Sequence, residues 1–263
     1  AKQLILAQEL HPVTEALKVV GIDLGTTNSA LAYVDSRGKG QPRLNTLMIP
    51  QLVGPNDVVP RPLLPSYLYL PGPHDLPAGA CALPWDPQRA FAVGEFARLH
   101  GARVPGRLVT SAKSWLCHAG VDRSAPILPW SAPPDVPRLS PVEASTRYLK
   151  HLAEAWNFVI ARERSEDFLE KQAIVLTVPA SFDDMARSLT VEAARKAGFE
   201  NLTLLEEPQA AFYCWVALAR GSTIHGPAGP MPAARQPELR PGMRCLVIDV
   251  GGGTSDFSLI ESV

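Results

Sequence analysis

Two stretches of this sequence repeat one chemical pattern. The first reads Val-Val-Gly-Ile-Asp23-Leu-Gly25-Thr26-Thr27-Asn28-Ser, and the second reads Cys245-Leu-Val-Ile-Asp249-Val-Gly251-Gly252-Gly253-Thr254-Ser-Asp256. In each, an apolar, partly β-branched run ends on a carboxylate, passes through small residues and returns as a second run, which predicts a β-hairpin. Small residues let backbone N–H groups approach a ligand without a Cβ in the way, so each turn suits an anion. A carboxylate beside an anion repels it unless a cation lies between them. Asp followed by Gly-Thr-Thr therefore reads as a Mg2+-phosphate site rather than a phosphate site alone. One such turn is an ordinary tight hairpin. Two copies of the same grammar argue for a shared site.

The rest of the chain has to bring these turns together. After the first hairpin, Lys18 to Val34, comes an extended run from Leu44 to Ile49. Ten prolines between Pro50 and Pro87 exclude a long helix and a central strand, leaving a loop-rich region with edge strands near Ser66 to Leu70 and Phe91 to Val93. Leu108 to Leu116 has helical character and carries one cation, Lys113, which spacing alone reads as a solvated surface lysine. Ser140-Pro141-Val-Glu143 matches a capping box with proline at the first helical position, opening a helix to about Arg164 with an apolar stripe at Leu149, Leu152, Ala153 and Trp156. Ala173 to Val178 reads as a buried strand. Asp183, Asp184, Arg195, Lys196 and Gly198 bracket the next helix. A strand from Asn201 to Leu205 runs into Glu206-Glu207-Pro208, and Pro208 opens a helix to Arg220. Alternating strands and helices imply parallel pairing, with ligands at the carboxyl ends of strands. Asp23, Glu207 and Asp249, each at the end of an expected strand, then share one cleft. Gly221 to Pro241 reads as a surface loop.

Composition narrows the function classes. The 263 residues carry 25 Lys plus Arg against 26 Asp plus Glu, a net charge of -1, so neither a nucleic-acid backbone nor an anionic membrane is the expected partner. The first twenty residues contain no signal-peptide core and no spanning segment, which makes a cytoplasmic location the expectation. Cys81, Cys117, Cys214 and Cys245 are isolated from one another. They support neither a zinc site nor a disulfide framework, and Cys214 and Cys245, lying in apolar runs, read as buried thiols. No P-loop is present: Gly101-Ala-Arg-Val-Pro-Gly106-Arg107 comes nearest, and it continues into Leu where Lys followed by Ser or Thr is required.

Four strings carry a resemblance. Ile-Asp23-Leu-Gly-Thr-Thr-Asn-Ser, Val-Pro179-Ala-Ser-Phe, Glu207-Pro208-x-Ala-Ala and Val-Ile-Asp249-Val-Gly-Gly-Gly-Thr254-Ser-Asp256 occur in the order and spacing of the seventy-kilodalton heat-shock chaperones. The chain resembles a divergent bacterial-type member of that family from about Val19 to Ile260. The resemblance implies an α/β fold: an actin-like ATPase, ribonuclease H-like lobe with a mixed sheet flanked by helices. It places the core at 18–55 and 138–240, a loop-rich inserted subdomain at 56–137, the first hairpin of a second lobe at 241–263, and an extension at 1–17. It implies ATP or ADP and Mg2+ as ligands. Asp23 and Asp249 would hold the metal through its waters, while Gly25, Thr26, Thr27 and Asn28, with Gly251, Gly252, Gly253 and Thr254, would bind phosphates from opposite lobes. Glu207 would orient or deprotonate the attacking water, Lys113 resembles the catalytic lysine, and Asp256 would support the network. Pro179 and Arg187 resemble residues that couple nucleotide state to a peptide-binding domain.

The resemblance implies partners as well: unfolded client polypeptides through a C-terminal domain, with a co-chaperone and a nucleotide exchange factor. A sugar-type kinase of the same superfamily and a nucleotide-binding protein without turnover are the alternatives. Relatives of this type continue beyond the point matched by Val263, with the rest of the second lobe and the adenosine-binding segment. Residues 1–263 alone are thus expected to bind nucleotide weakly or not at all, and calorimetric detection of a tight ATP complex would contradict this.

Overall fold

A computed structural model describes residues 18–36, 43–226, 229–230 and 240–262. The expected extension at 1–17 and parts of the loop expected at Gly221 to Pro241 lie outside these described residues. The central sheet contains β1 (Lys18–Leu24), β2 (Asn28–Asp35), β3 (Arg43–Thr46), β6 (Leu64–Pro65), β10 (Ala173–Val178), β11 (Leu202–Glu206), β12 (Thr223–Gly226) and β13 (Gly229–Pro230). Its order is β11-β10-β1-β2-β3-β12-β13, with β6 paired to β2. β11, β10 and β1 run parallel, while β1, β2 and β3 form an antiparallel meander. Period-two burial decides what each strand offers. Lys18, Val20, Ile22 and Leu24 are buried, whereas Val19, Gly21 and Asp23 face away from that core.

Against the buried face lies α3 (Pro141–Trp156), whose stripe is occupied as its spacing predicts: Leu149, Leu152 and Trp156 are fully buried. Burying each such side chain contributes about 1.5–3 kcal/mol. The helix is shorter than expected. Beyond Trp156 it widens into a π turn over Asn157–Ala161 and stops at Arg162, where φ is 56°. Asn157 draws it off course, its side chain accepting from the Leu169 N–H at 2.8 Å. Next to α3 packs α4 (Asp184–Lys196), capped by Asp183 and closed before Gly198 at φ 100°. A buried ion pair, Lys18 to Asp167 at 3.0 Å, ties the start of β1 to the connection into β10.

The proline-rich stretch holds more order than proline content predicts. β4 (Ile49–Gly54) and β5 (Asp57–Arg61) form a two-stranded hairpin in which Pro50 stands opposite Pro60. A two-stranded ribbon has only edges, and edges tolerate proline. The expected edge strands are present as β7 (Leu68–Tyr69) and β8 (Ala92–Val93), joined by β9 (Leu108–Val109) and flanked by α1 (Glu95–Gly101). The helix expected over Leu108 to Leu116 is instead β9 followed by α2 (Ala112–Leu116). The last elements are α5 (Glu207–Ala219) and the hairpin β14 (Arg244–Val250) with β15 (Ser255–Glu261). Leu246, Ile248, Val250, Phe257 and Leu259 lie on its outer face, 56–73% exposed. Cys245 is half-buried and Cys214 on α5 is exposed, contrary to the expectation from their apolar runs. α5 is apolar all round, and only Pro208 is buried on it, so the sequence offered no polar face to mark which side is open. Among the described residues no helix is long and apolar enough to cross a membrane.

The capping box is complete. Ser140 Oγ accepts from the Glu143 N–H at 3.1 Å, and the Glu143 carboxylate accepts from the Ser140 N–H at 2.7 Å. Ser140→Ala is expected to cost about 1 kcal/mol of stability, read as a lowered midpoint in chemical denaturation.

Candidate functional site

The two turns have the same register. Leu24 pairs with Ser29 and Val250 with Ser255, leaving 25–28 and 251–254 as the turns, with Asp23 and Asp249 one residue inside each pair. A methyl group on Gly25 would fall 2.2 Å from the Asn28 carbonyl oxygen, so only glycine closes the first turn.

The turns meet tip to tip. A methyl group on Gly252 would lie 2.1 Å from Thr27 Oγ1, and one on Gly253 would lie 2.5 Å from Ser114 Oγ and 2.9 Å from Thr26 Oγ1. Residues from the two ends of the chain thus line one seam. On the β1 side, Asp23 projects away from the core, and Thr177, its register partner on β10, donates to it at 3.1 Å. Behind the first turn, Ser66 Oγ donates to the Gly25 carbonyl at 2.7 Å and the Ser66 N–H donates to Thr27 O at 2.9 Å. Thr177 and Ser66 carried no motif, and their role follows only from the pairing of β10 and β6 with the first hairpin.

Lys113 is buried, not solvated as its spacing alone predicts, and its ammonium donates to the Glu207 carboxylate. Their side chains are 9% and 15% exposed, so the pair is shielded from water. Ala112 and Leu116, fully buried one turn apart, anchor α2 and leave Lys113 on another side. The residue before α2, Ser111, has φ 54° and ψ 32°, a left-handed conformation uncommon outside glycine, and it sets the angle at which α2 enters. Glu207 is the first residue of α5 rather than the end of a strand. Proline at the second helical position fixes where the helix starts, so Glu207 belongs to the helix.

Burial pushes the Glu207 carboxyl above the usual range. The charge and hydrogen bond of Lys113 oppose that shift, while the charges of Asp23 and Asp249 add to it. Asp23 and Asp249 therefore lie within electrostatic reach of Glu207. Asp249 also stands directly opposite Asp256 on the same side of the hairpin, an arrangement unfavourable for like charges. Asp256 is buried, and its Oδ2 has no hydrogen-bond partner among the described residues. Cys117, half-buried, donates its thiol to Ser114 O, and burial pushes its pKa up.

Pro179 and Arg187 lie together at the turn that follows β10. Pro179 is buried at the end of β10, and its carbonyl accepts from the Phe182 N–H at 3.2 Å. Arg187 donates to Phe182 O at 3.1 Å and to the Glu206 carboxylate at 2.9 Å, next to Glu207 in sequence. It also lines a groove of about 620 Å³ along α4, with Val191, Arg195 and Lys196.

Residues 131–262, half of the chain, match the family described as Hsp70 protein. The chain belongs to the Hsp70 family. Three relatives of this Hsp70 chain are the Chaperone protein HscA homolog of Bordetella pertussis, 32% identical over 254 residues, and the proteins called Chaperone protein HscA of Enterobacter sp., 32% over 254, and of Yersinia enterocolitica, 33% over 253. Each alignment covers 92% of this chain and 32% of the relative. The chain spans about a third of the length of the curated relatives it matches. Its mixed sheet flanked by helices is the actin-like ATPase fold of that family. The match favours the chaperone reading over a sugar kinase.

Lys113→Ala removes the cation that, among the described residues, lowers the Glu207 pKa. The Glu207 titration, followed by carboxyl NMR, is expected to move further up.

Proposed function

We propose that ATP binds with its phosphates in the seam between the two turns, and that Glu207 and Lys113 catalyse its hydrolysis. The observation that supports this most is the tip-to-tip meeting of two Asp-Gly turns beside a shielded lysine-carboxylate pair. Backbone N–H groups of 25–28 and 252–254, with the hydroxyls of Thr26, Thr27 and Thr254, would bind phosphate oxygens from opposite sides, while the Gly251 N–H closes its own turn by donating to Thr254 O at 2.9 Å. The donor set also fits a divalent cation. Glu207 feels the charges of Asp23 and Asp249, which Lys113 offsets, and the orphaned Oδ2 of Asp256 adds a carboxylate lacking a partner among the described residues. Asp23 and Asp249 would hold Mg2+ through its waters. When bound, that ion supplies counter-charge to the phosphates.

The chain's own residues then do the rest. Glu207 accepts a proton from a water as its oxygen attacks the terminal phosphorus. The bond to the bridging oxygen breaks, and ADP leaves with the electron pair. The Lys113 ammonium, held in place by Glu207, offsets negative charge on the transferring group. A base must be ionised to act, and Glu207 sits above its ordinary value. The rate is expected to fall as pH drops through that raised pKa, so the acid limb lies above the ~4.3 of an ordinary glutamate.

In the full-length protein we infer a chaperone cycle in which hydrolysis governs a client-binding region, assisted by a co-chaperone and an exchange factor. Arg187 offers a route for coupling, since it joins the α4 groove to Glu206 and hence to the start of α5. Single-turnover hydrolysis in the full-length protein tests the reading. Glu207→Gln is expected to lower the rate by about 10²–10⁴ with ATP binding retained, and an unfolded peptide is expected to stimulate the wild type. Phosphate transfer to a sugar would support the kinase instead, and binding without turnover would support a non-hydrolysing protein.

A further inference from the structure

We propose that the Ser114 hydroxyl is a third phosphate contact, one that reads the terminal phosphate and so separates ATP from ADP; this rests on the nucleotide reading above. Ser114 Oγ sits where three segments converge. A methyl group on Gly253 would lie 2.5 Å from it and 2.9 Å from Thr26 Oγ1, so the hydroxyl borders both turns while belonging to neither.

The helix it rides on is held from behind. Ala112 and Leu116 are fully buried, and neighbouring residues on a helix point about 100° apart. Lys113 therefore addresses α5 through Glu207, while Ser114 addresses the turn of β14 and β15. The Ser114 backbone is in use, its N–H donating to Ser111 O at 2.9 Å and its carbonyl accepting from Cys117. Its hydroxyl has no hydrogen-bond partner among the described residues. A half-buried hydroxyl with a spare proton, at a seam lined by backbone amides and threonines, is a ready donor to an anionic oxygen. The phosphate nearest to it is the one being transferred, because Ser114 follows directly on Lys113, whose partner Glu207 acts on that group. ADP lacks that phosphate and forfeits the contact.

The test compares affinities of the full-length protein for MgADP and for a non-hydrolysable Mg-ATP analogue by calorimetry. Ser114→Ala is expected to weaken the ATP analogue about tenfold, as loss of a hydrogen bond to a charged group does, and to leave ADP within about twofold. Ser114→Cys fills the same space with a poor donor and is expected to behave like alanine. An unchanged affinity for the ATP analogue in Ser114→Ala overturns the proposal, as does an equal loss for both nucleotides, which marks Ser114 as a spacer. Retention of ATP preference in Ser114→Cys overturns it too, since volume would then suffice. Wild-type protein that binds neither nucleotide sinks the underlying reading, a result distinct from the other three.

Discussion

The contact of the Lys113 ammonium with the Glu207 carboxylate, both shielded from water, is the interaction on which the site depends. Asp23 and Asp249 both raise the Glu207 pKa, and Asp256 stands opposite Asp249. A fold selected for stability alone would scatter these charges. Here the Lys113 ammonium reaches in from a short helix and offsets part of the field. Removing one member of a shielded pair leaves the other uncompensated, at a cost of about 3–5 kcal/mol when fully buried, so the lysine and the glutamate are tied together in stability as well as in chemistry. Among the described residues the site is left rich in carboxylates, which is why the proposed nucleotide would need a hydrated cation with it.

The scaffold explains how such a site holds still. β1 buries one face and turns Asp23 to the other, and β10, parallel to it, supplies Thr177 at the matching position. Ser66 braces the first turn from the proline-rich region. Each support comes from an element remote in sequence, so the precision of the first turn belongs to the sheet rather than to its own four residues.

Much of this was legible in the sequence, for identifiable reasons. The turns, the strand Ala173–Val178, the capped start of α3 and the bounds of α4 are set by local chemistry: glycine closure, period-two apolarity, Ser-Pro-x-Glu, and acidic and basic ends. Lys113 misled, because the periodicity of five helical residues cannot tell a buried cation from a solvated one when its partner lies ninety-odd residues away. Cys214 misled for the opposite reason: an all-apolar helix gives no hint which side stays open. The hairpin of β4 and β5 was hidden by its prolines, and Ser66 and Thr177 by the lack of any motif around them.

The meeting of Gly252 with Thr27 carries a consequence for synthesis. A ribosome makes β1 early and β14 late, and at about 5–20 residues per second roughly 10–45 seconds pass between Asp23 and Asp249. Throughout that interval the first turn exists without its counterpart. A nascent chain has no seam until β15 has emerged from the exit tunnel, so the proposed nucleotide site can assemble only late in synthesis.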